Sequence, residues 1–377
     1  MEGLGLSMGC GQEIMGSFFR NRKVFITGHT GFKGAWLCLI LKSLGADVCG
    51  YALDPPTRPS LFDLVDAGKD VASIHGDVRD LDRLAKGMKE FGPEVVIHLA
   101  AQSLVRQSYR DPVGTYGTNV MGTVNLLEAV RRSDSVRAVV VVTSDKCYEN
   151  REWVRGYRES DAMGGHDPYS SSKGCAELVT AAYLRSYFPE DRYGEHGVAI
   201  ASARAGNVIG GGDFAEDRIV PDMVRACLGN RPVRIRYPRA TRPWEHVLEP
   251  LAGYLILAER LYAGGTAFGG AWNFGPLETG VREVGWLVER FISLWGPGAS
   301  WEYDKDTHPQ EASLLKLDCS KARSGLGWMP CLNLDEALRW TVEWYGFFRD
   351  DPSSLRTTTE AQIRAYGELS CRRGDAS

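Results

Sequence analysis

The sequence predicts an α/β fold, a Rossmann-like doubly wound parallel sheet with a smaller C-terminal part. Three observations predict it. Short apolar stretches without polar alternation recur through the N-terminal half, and most are followed by a stretch with helical spacing. That order implies parallel strands joined by right-handed helical crossovers, in a sheet covered on both faces. A glycine-rich turn, TGHTGFKG, joins the first such strand to the first helix. The run VVVVT then leads directly into Ser144, Asp145 and Lys146, so a strand apolar enough to be buried ends on chargeable residues.

The elements follow in order. Lys23–Thr27 reads as the first strand, and a helix runs on through AWLCLILKSLG. Asp47–Ala52 is the second strand and Val71–His75 the third. Leu81–Phe91 has helical spacing before a fourth strand at Glu94–Leu99. Asp111–Arg132 reads as one long helix, Val136–Thr143 as the fifth strand, Pro168–Phe188 as a second long helix and Gly197–Arg204 as a further strand. Beyond Asn207 the pattern loosens. A glycine run precedes a helix near Ile219–Cys227, and the basic stretch VRIRYPRATRPW follows. Helices are expected at Val247–Tyr262 and Val281–Leu294, with a short strand at Ala271–Phe274. The expected division is an unordered extension over 1–20, a dinucleotide-binding domain with the catalytic residues over 21–205, a mainly ligand-binding part over 206–355 with segments returning to the first domain, and a tail over 356–377.

Composition narrows the function. The formal net charge of −4 argues against nucleic acid as a partner. No apolar run is long enough to span a membrane, and residues 1–20 lack the basic start and long apolar core of a signal peptide. The nine cysteines are scattered, with no paired spacing and no Cys/His cluster. Free thiols in a reducing cytoplasm, and no metal site, are the expectation.

The glycines of the first turn, Gly28, Gly31 and Gly34, are spaced G-x-x-G-x-x-G. Glycine lets the chain turn tightly and lets a pyrophosphate approach the helix N-terminus, where free N–H groups and the helix dipole favour an anion. Set between a strand and a helix, the turn is the fingerprint of a dinucleotide site, with Thr30 and Phe32 inside it. Asp54, after the second strand, suits a ribose 2′-hydroxyl and would repel a 2′-phosphate, which favours NAD. Asp77 and Val78, after the third strand, are expected near the adenine. Leu99, Ala100, Ala101 and Gln102, after the fourth, are expected along the middle of the cofactor.

DPYSSSKGCAE carries Tyr169 and Lys173, which share a helix face four residues apart. A phenol of ordinary pKa is a poor base at neutral pH. Lowering it by roughly three units takes about 4 kcal/mol, which a nearby ammonium and a cationic nicotinamide ring are expected to supply. With Ser144 at a strand end, Tyr169 and Lys173 form a catalytic constellation.

TGHTGFKG, Ser144 and Tyr169-x-x-x-Lys173 resemble the extended short-chain dehydrogenase/reductase family over nearly the whole chain after residue 20. TSDKCYENREWVRGYRESDAMGGHDPYSSSKGCAEL, ARAGNVIGGGDFAEDRIVPD and RPWEHVLEPLAGYL resemble, within it, the nucleotide-sugar 4,6-dehydratases that act on CDP-glucose. The resemblance implies a hydro-lyase that makes a deoxysugar precursor with NAD. The sugar is oxidised at C4, water is eliminated across C5 and C6, and hydride returns to C6.

It also implies roles for single residues. Ser144 and Tyr169 handle the C4 hydroxyl, with Lys173 beside them and Asn119 supporting the lysine. Asp145 is the acid for the C6 hydroxyl. Lys146 is either the base for the C5 proton or a cation that stabilises the enolate. Both side chains can reach one sugar only if the chain turns, since neighbours on a straight strand point to opposite faces. Asn207, Arg242, Arg234 and the stretch Arg218, Ile219 and Val220 are the implied contacts of the nucleotide sugar, arginine matching phosphate oxygens by its planar fork. A nucleotide-sugar 4-epimerase shares all but the Asp145–Lys146 pair. A non-catalytic NAD-binding module would not need Tyr169 and Lys173. His98 and His166, without companion ligands, are expected to be structural or pocket-wall residues. A homodimer packed through the two long helices is implied as well.

Overall fold

The computed structural model describes residues 17–306 and 314–374. Among them a seven-stranded sheet runs in the order β10-β6-β5-β4-β1-β2-β3. Its strands are β1 (Lys23–Thr27), β2 (Asp47–Ala52), β3 (Ala72–His75), β4 (Val95–His98), β5 (Ala138–Val142), β6 (Ala199–Ala205) and β10 (Gly270–Phe274). Every pairing is parallel. The order reverses between β1 and β4, the point at which ligands bind such sheets. β4, β5 and β6 are buried along their whole length, as strands covered on both faces must be. Their valines and alanines divide between two apolar cores, one on each side of the sheet.

The segment 112–131 is one helix interrupted at Gly117–Met121 by a single wider π turn, which carries Asn119. Such turns recur at functional sites. The second long helix, Pro168–Ser186, is capped by the Asp167 carboxylate, which accepts from the Ser170 N–H.

Gly270–Phe274, a segment of the part over 206–355, is the seventh strand of the main sheet and pairs with β6 in register Phe274↔Ala205. Two expectations are corrected. Phe19, inside the expected extension, is fully buried, and Phe18 packs on Tyr262; the rest of that extension, 1–16, lies outside the described residues. The expected tail is a helix, Leu355–Gly374, whose Tyr366 hydroxyl donates to Glu249 at 2.7 Å. Among the described residues seven cysteines are free thiols as expected, whereas Cys371 is disulfide-bonded.

The second layer over the ligand end is small. β7 (Asn207–Ile209), β9 (Thr241–His246) and β11 (Val281–Glu283) form one sheet, and β8 (Val233–Ile235) pairs with β12 (Trp301–Tyr303). Together with the helix Ile219–Leu228 they face the carboxyl ends of β1, β4 and β5 across a cleft of about 1330 Å³. That is more room than a single small ligand needs.

Candidate active site

The glycine turn is built as a cradle. Gly28 has φ of +76°, and a Cβ there would lie 2.7 Å from the Ala100 backbone nitrogen. A Cβ on Gly34 would lie 2.3 Å from the Gly28 carbonyl oxygen. Gly31 precedes the helix Phe32–Ser43 and offers no side-chain cap, so the first N–H groups of that helix are left for an anion. Thr30 pins the turn by donating to the Leu53 carbonyl at 2.9 Å, and Phe32 lines the cleft. Asp54 stands beyond the end of β2, exposed, 3.5 Å from His75. Asp77 lines the cleft, and its carboxylate is held by Arg79 at 2.6 Å, whose bond lowers it. Val78 is buried beside it.

Leu99 to Gln102 line the same cleft. Asn119 ties this loop to the helix Pro168–Ser186. It accepts from the Gln102 N–H at 2.8 Å and donates to the Gln102 carbonyl at 2.9 Å and to Ser172 Oγ at 2.8 Å. The bond to Ser172 puts Asn119 beside the residue that precedes Lys173. The Lys173 ammonium itself donates to the Val142 carbonyl at 3.4 Å.

The chain turns after β5, as two productive side chains require. Ser144 is extended, and Asp145–Cys147 forms one turn of 3-10 helix capped by the Ser144 hydroxyl, which accepts from the Lys146 N–H. Asp145 is buried and Lys146 half-buried, and both line the cleft with Tyr169 and Lys173. One Asp145 oxygen accepts from Ser144 Oγ at 3.0 Å, and the other, Oδ2, is buried with no hydrogen-bond partner. Burial pushes the Asp145 carboxyl up, against the pull of Lys146, Ser144 and Arg242. A carboxyl so placed is suited to hold a proton.

Burial likewise pushes the Tyr169 phenol up to about 12, with Ser144 and Arg218 pulling against it. In the protein alone, desolvation outweighs the cations; the expected lowering also draws on a nicotinamide ring. Burial brings Lys173 down to about 8, and Lys33 adds to that shift. His98 is buried and neutral. Its Nδ1 lies 2.6 Å from Thr27 Oγ1, and burial lowers it to about 3, so it is structural; His166 lines the cleft.

On the facing layer, Asn207 and Arg242 line the cleft, Arg242 buried on β9. Arg218 precedes the helix Ile219–Leu228 and donates to Asp213 at 3.0 Å and to Ser103 Oγ at 2.8 Å, which joins the two sides of the cleft. Ile219 and Val220 line the wall at that helix start. Arg234 lines the cleft as well and pairs there with Asp304 at 2.9 Å, Asp306 at 3.1 Å and Glu302 at 3.7 Å. Sequence reasoning passed over Lys33 and Glu245, although both lie inside stretches already singled out, TGHTGFKG and RPWEH. It also missed the buried Glu177–Arg204 pair beneath the turn, joined at 2.7 Å. The only signal for these was a charge in an otherwise apolar run. Among the described residues no cluster could hold a metal ion, and no helix is long and apolar enough to cross a membrane.

Fold and site together define a class: a dinucleotide-binding α/β protein of the short-chain dehydrogenase/reductase type. The chain belongs to the GDP-mannose 4,6 dehydratase family, whose model matches residues 25–341. A CDP-glucose 4,6-dehydratase of Salmonella typhimurium is 54% identical over 329 residues, covering 87% of this chain and 92% of that protein. A dTDP-glucose 4,6-dehydratase of Streptomyces griseus is 29% identical over 334 residues, covering 85% and 93%. Among solved structures, DesIV, a dTDP-glucose 4,6-dehydratase of Streptomyces venezuelae with NAD and TYD bound, superposes with a TM-score of 0.72 at 24% identity, covering 89% of this chain and 99% of that one. The UDP-glucose 4-epimerase of Thermus thermophilus in complex with NAD gives 0.73 at 24% identity, covering 86% and 99%. At that identity the likeness is one of fold.

Proposed function

We propose that this chain is an NAD-dependent hydro-lyase that converts CDP-D-glucose to CDP-4-dehydro-6-deoxy-D-glucose. The observation that carries the reading is the turn after β5, where Asp145 and Lys146 share one cleft with Tyr169 and Lys173. A 4-epimerase has no use for the first pair. The 54% identity to a CDP-glucose 4,6-dehydratase supports the choice of nucleotide.

The glycine cradle fits a dinucleotide. Gly28, Gly31 and Gly34 give close approach, the helix Phe32–Ser43 presents its N-terminus to the pyrophosphate, Asp54 suits the ribose, and Leu99 to Gln102 border the remainder. NAD bound there supplies the hydride acceptor and donor. Tyr169, with Ser144, takes the proton of the C4 hydroxyl, and Lys173 favours the phenolate by its charge. The resulting ketone makes the C5 proton acidic. Lys146, in the same cleft, would take that proton or stabilise the enolate as a cation, and Asp145 would protonate the departing C6 hydroxyl. Arg242, Arg218 and Asn207 hold the diphosphate and sugar.

A homodimer is part of the reading. Val113, Met121 and Leu178 leave apolar surface exposed on the two long helices, and Tyr187 just after the second, which supports a second copy there. Seven free thiols among the described residues support a cytoplasmic setting, while the disulfide at Cys371 weighs against it. The test is incubation with CDP-glucose, UDP-glucose and dTDP-glucose in parallel, with NAD. The expected outcome is loss of one water from the CDP sugar alone. A product of unchanged mass with inverted C4 would make the protein an epimerase.

A further inference from the structure

The buried Glu177–Arg204 pair reaches the catalytic turn from both of its ends. Glu177 lies on the helix Pro168–Ser186 and shares a face of it with Tyr169 and Lys173, one turn apart each time. Its carboxylate accepts from Thr143 Oγ1, from Ser202 Oγ at 2.6 Å and from Arg204 Nη2 at 2.7 Å. Arg204, on β6, gives its other terminal nitrogen to the Tyr148 hydroxyl at 2.6 Å. That hydroxyl donates in turn to Asn273 Oδ1 on β10 at 2.7 Å. Thr143 is the residue before Ser144, and Tyr148 the residue after Cys147. The chain therefore closes a ring. It leaves Thr143, makes the turn that carries Ser144, Asp145 and Lys146, and at Tyr148 is tied back to Thr143 through Arg204 and Glu177. Thr143, Tyr148, Glu177 and Arg204 are all buried. The helix also comes close to the turn itself, for a Cβ on Gly174 would lie 3.2 Å from the Cys147 carbonyl oxygen.

We propose that Thr143, Glu177, Arg204 and Tyr148 are positioning residues for elimination: they fasten the catalytic turn at both ends and so set Asp145 and Lys146 against C5 and C6 of a sugar held at Tyr169. The inference rests on the dehydratase reading of the site.

A buried ion pair adds little net stability over apolar groups of the same volume; what it does supply is a single geometry for the groups it joins. The two halves of the reaction draw on that geometry unequally. Tyr169 and Lys173 have ties of their own. The Tyr169 N–H donates to Ser108 Oγ at 3.1 Å, the Lys173 ammonium donates to the Val142 carbonyl at 3.4 Å, and Ser172 between them is held by Asn119 at 2.8 Å. Asp145 and Lys146 are tied through Ser144, inside the turn itself. Ser144 Oγ donates to Asp145 at 3.0 Å and accepts from the Lys146 N–H at 3.2 Å. Where the turn as a whole stands against the helix is set by what holds its two ends. C4 oxidation uses the first pair. Elimination needs the second pair in register with it, and a misplacement of about 1 Å can cost about a hundredfold in rate.

The test is a ratio of two rates in Thr143→Val and Tyr148→Phe: dehydration of CDP-glucose over C4 oxidation of CDP-6-deoxyglucose, which has no hydroxyl to expel. Thr143→Val opens the ring at the strand end. Tyr148→Phe opens it at the far end and leaves the Glu177–Arg204 pair whole. In each variant the ratio falls roughly ten- to a hundredfold. The 4-ketone that still carries its C6 hydroxyl then accumulates from CDP-glucose, seen by mass analysis of the quenched mixture. Thr143→Ser keeps the hydroxyl and keeps the wild-type ratio. Loss of folded enzyme would lower both rates together and leave the ratio where it was, so a merely structural role is told apart. If Thr143→Val does not fold, Tyr148→Phe carries the test. A ratio that stays at the wild-type value in a folded variant of either kind, or falls as far in Thr143→Ser as in Thr143→Val, overturns the inference. A wild type that dehydrates none of the sugars overturns the reading beneath it and the inference with it.

Discussion

Glu177 and Asp145 are both buried carboxyls near the end of β5, 5% and 2% exposed, and the protein treats them in opposite ways. Both Glu177 oxygens are used. They accept from Thr143 Oγ1, from Ser202 Oγ at 2.6 Å and from Arg204 Nη2 at 2.7 Å. Arg204 goes on to Tyr148 at 2.6 Å, and Tyr148 to Asn273 at 2.7 Å, so one network joins the residues at the ends of β5, β6 and β10. Asp145 has a single bond, from Ser144, and a second oxygen with none. A buried carboxylate with both oxygens bonded fixes geometry, whereas an unsatisfied carboxyl keeps its proton and can give it away. The first network holds the turn on which the second group acts.

Breaking the satisfied side gives the largest expected effect. Arg204→Met strands the Glu177 carboxylate in the interior and lowers stability by about 3–5 kcal/mol, read from urea unfolding. A loss below about 1 kcal/mol would mean that the network is incidental. The unsatisfied side should respond in rate and not in stability. Asp145→Asn leaves the urea midpoint nearly unchanged and slows dehydration on the order of 10³-fold, while C4 oxidation of CDP-6-deoxyglucose persists. Equal loss of both reactions would return Asp145 to a structural role.

The smallest effect concerns Lys173, whose folded value of about 8 lies below its ordinary 10.5. Between pH 8 and 10 the unfolded chain keeps a proton that the folded chain has released, so stability rises with pH there, by about 1 kcal/mol per unit. Lys173→Met removes that lysine's share of the slope. A slope unchanged in the variant would mean that Lys173 is better solvated than its burial implies.

The contrast also marks what was legible in the sequence. The parallel sheet, the glycine cradle and the Tyr169–Lys173 spacing are local patterns, and each is read within a few residues. The turn at Asp145 followed from the need for two neighbouring side chains to reach one cleft. Arg204 and Glu177 were hidden because their partners come from other elements, brought together by the pairing of β5 with β6. The partners of Arg234 were hidden for the same reason. Its carboxylates lie at 302–306, and only the pairing of β8 with β12 brings them near. Gly270–Phe274 has the composition of any short strand, and nothing in it names β6 as its neighbour.

The protonation of Asp145 is open to direct measurement. The infrared difference spectrum of wild type minus Asp145→Asn at pH 7 should contain the carbonyl stretch of a protonated carboxylic acid. A difference spectrum holding only carboxylate bands would show that Asp145 is ionised at rest, and would remove it as the acid of the elimination.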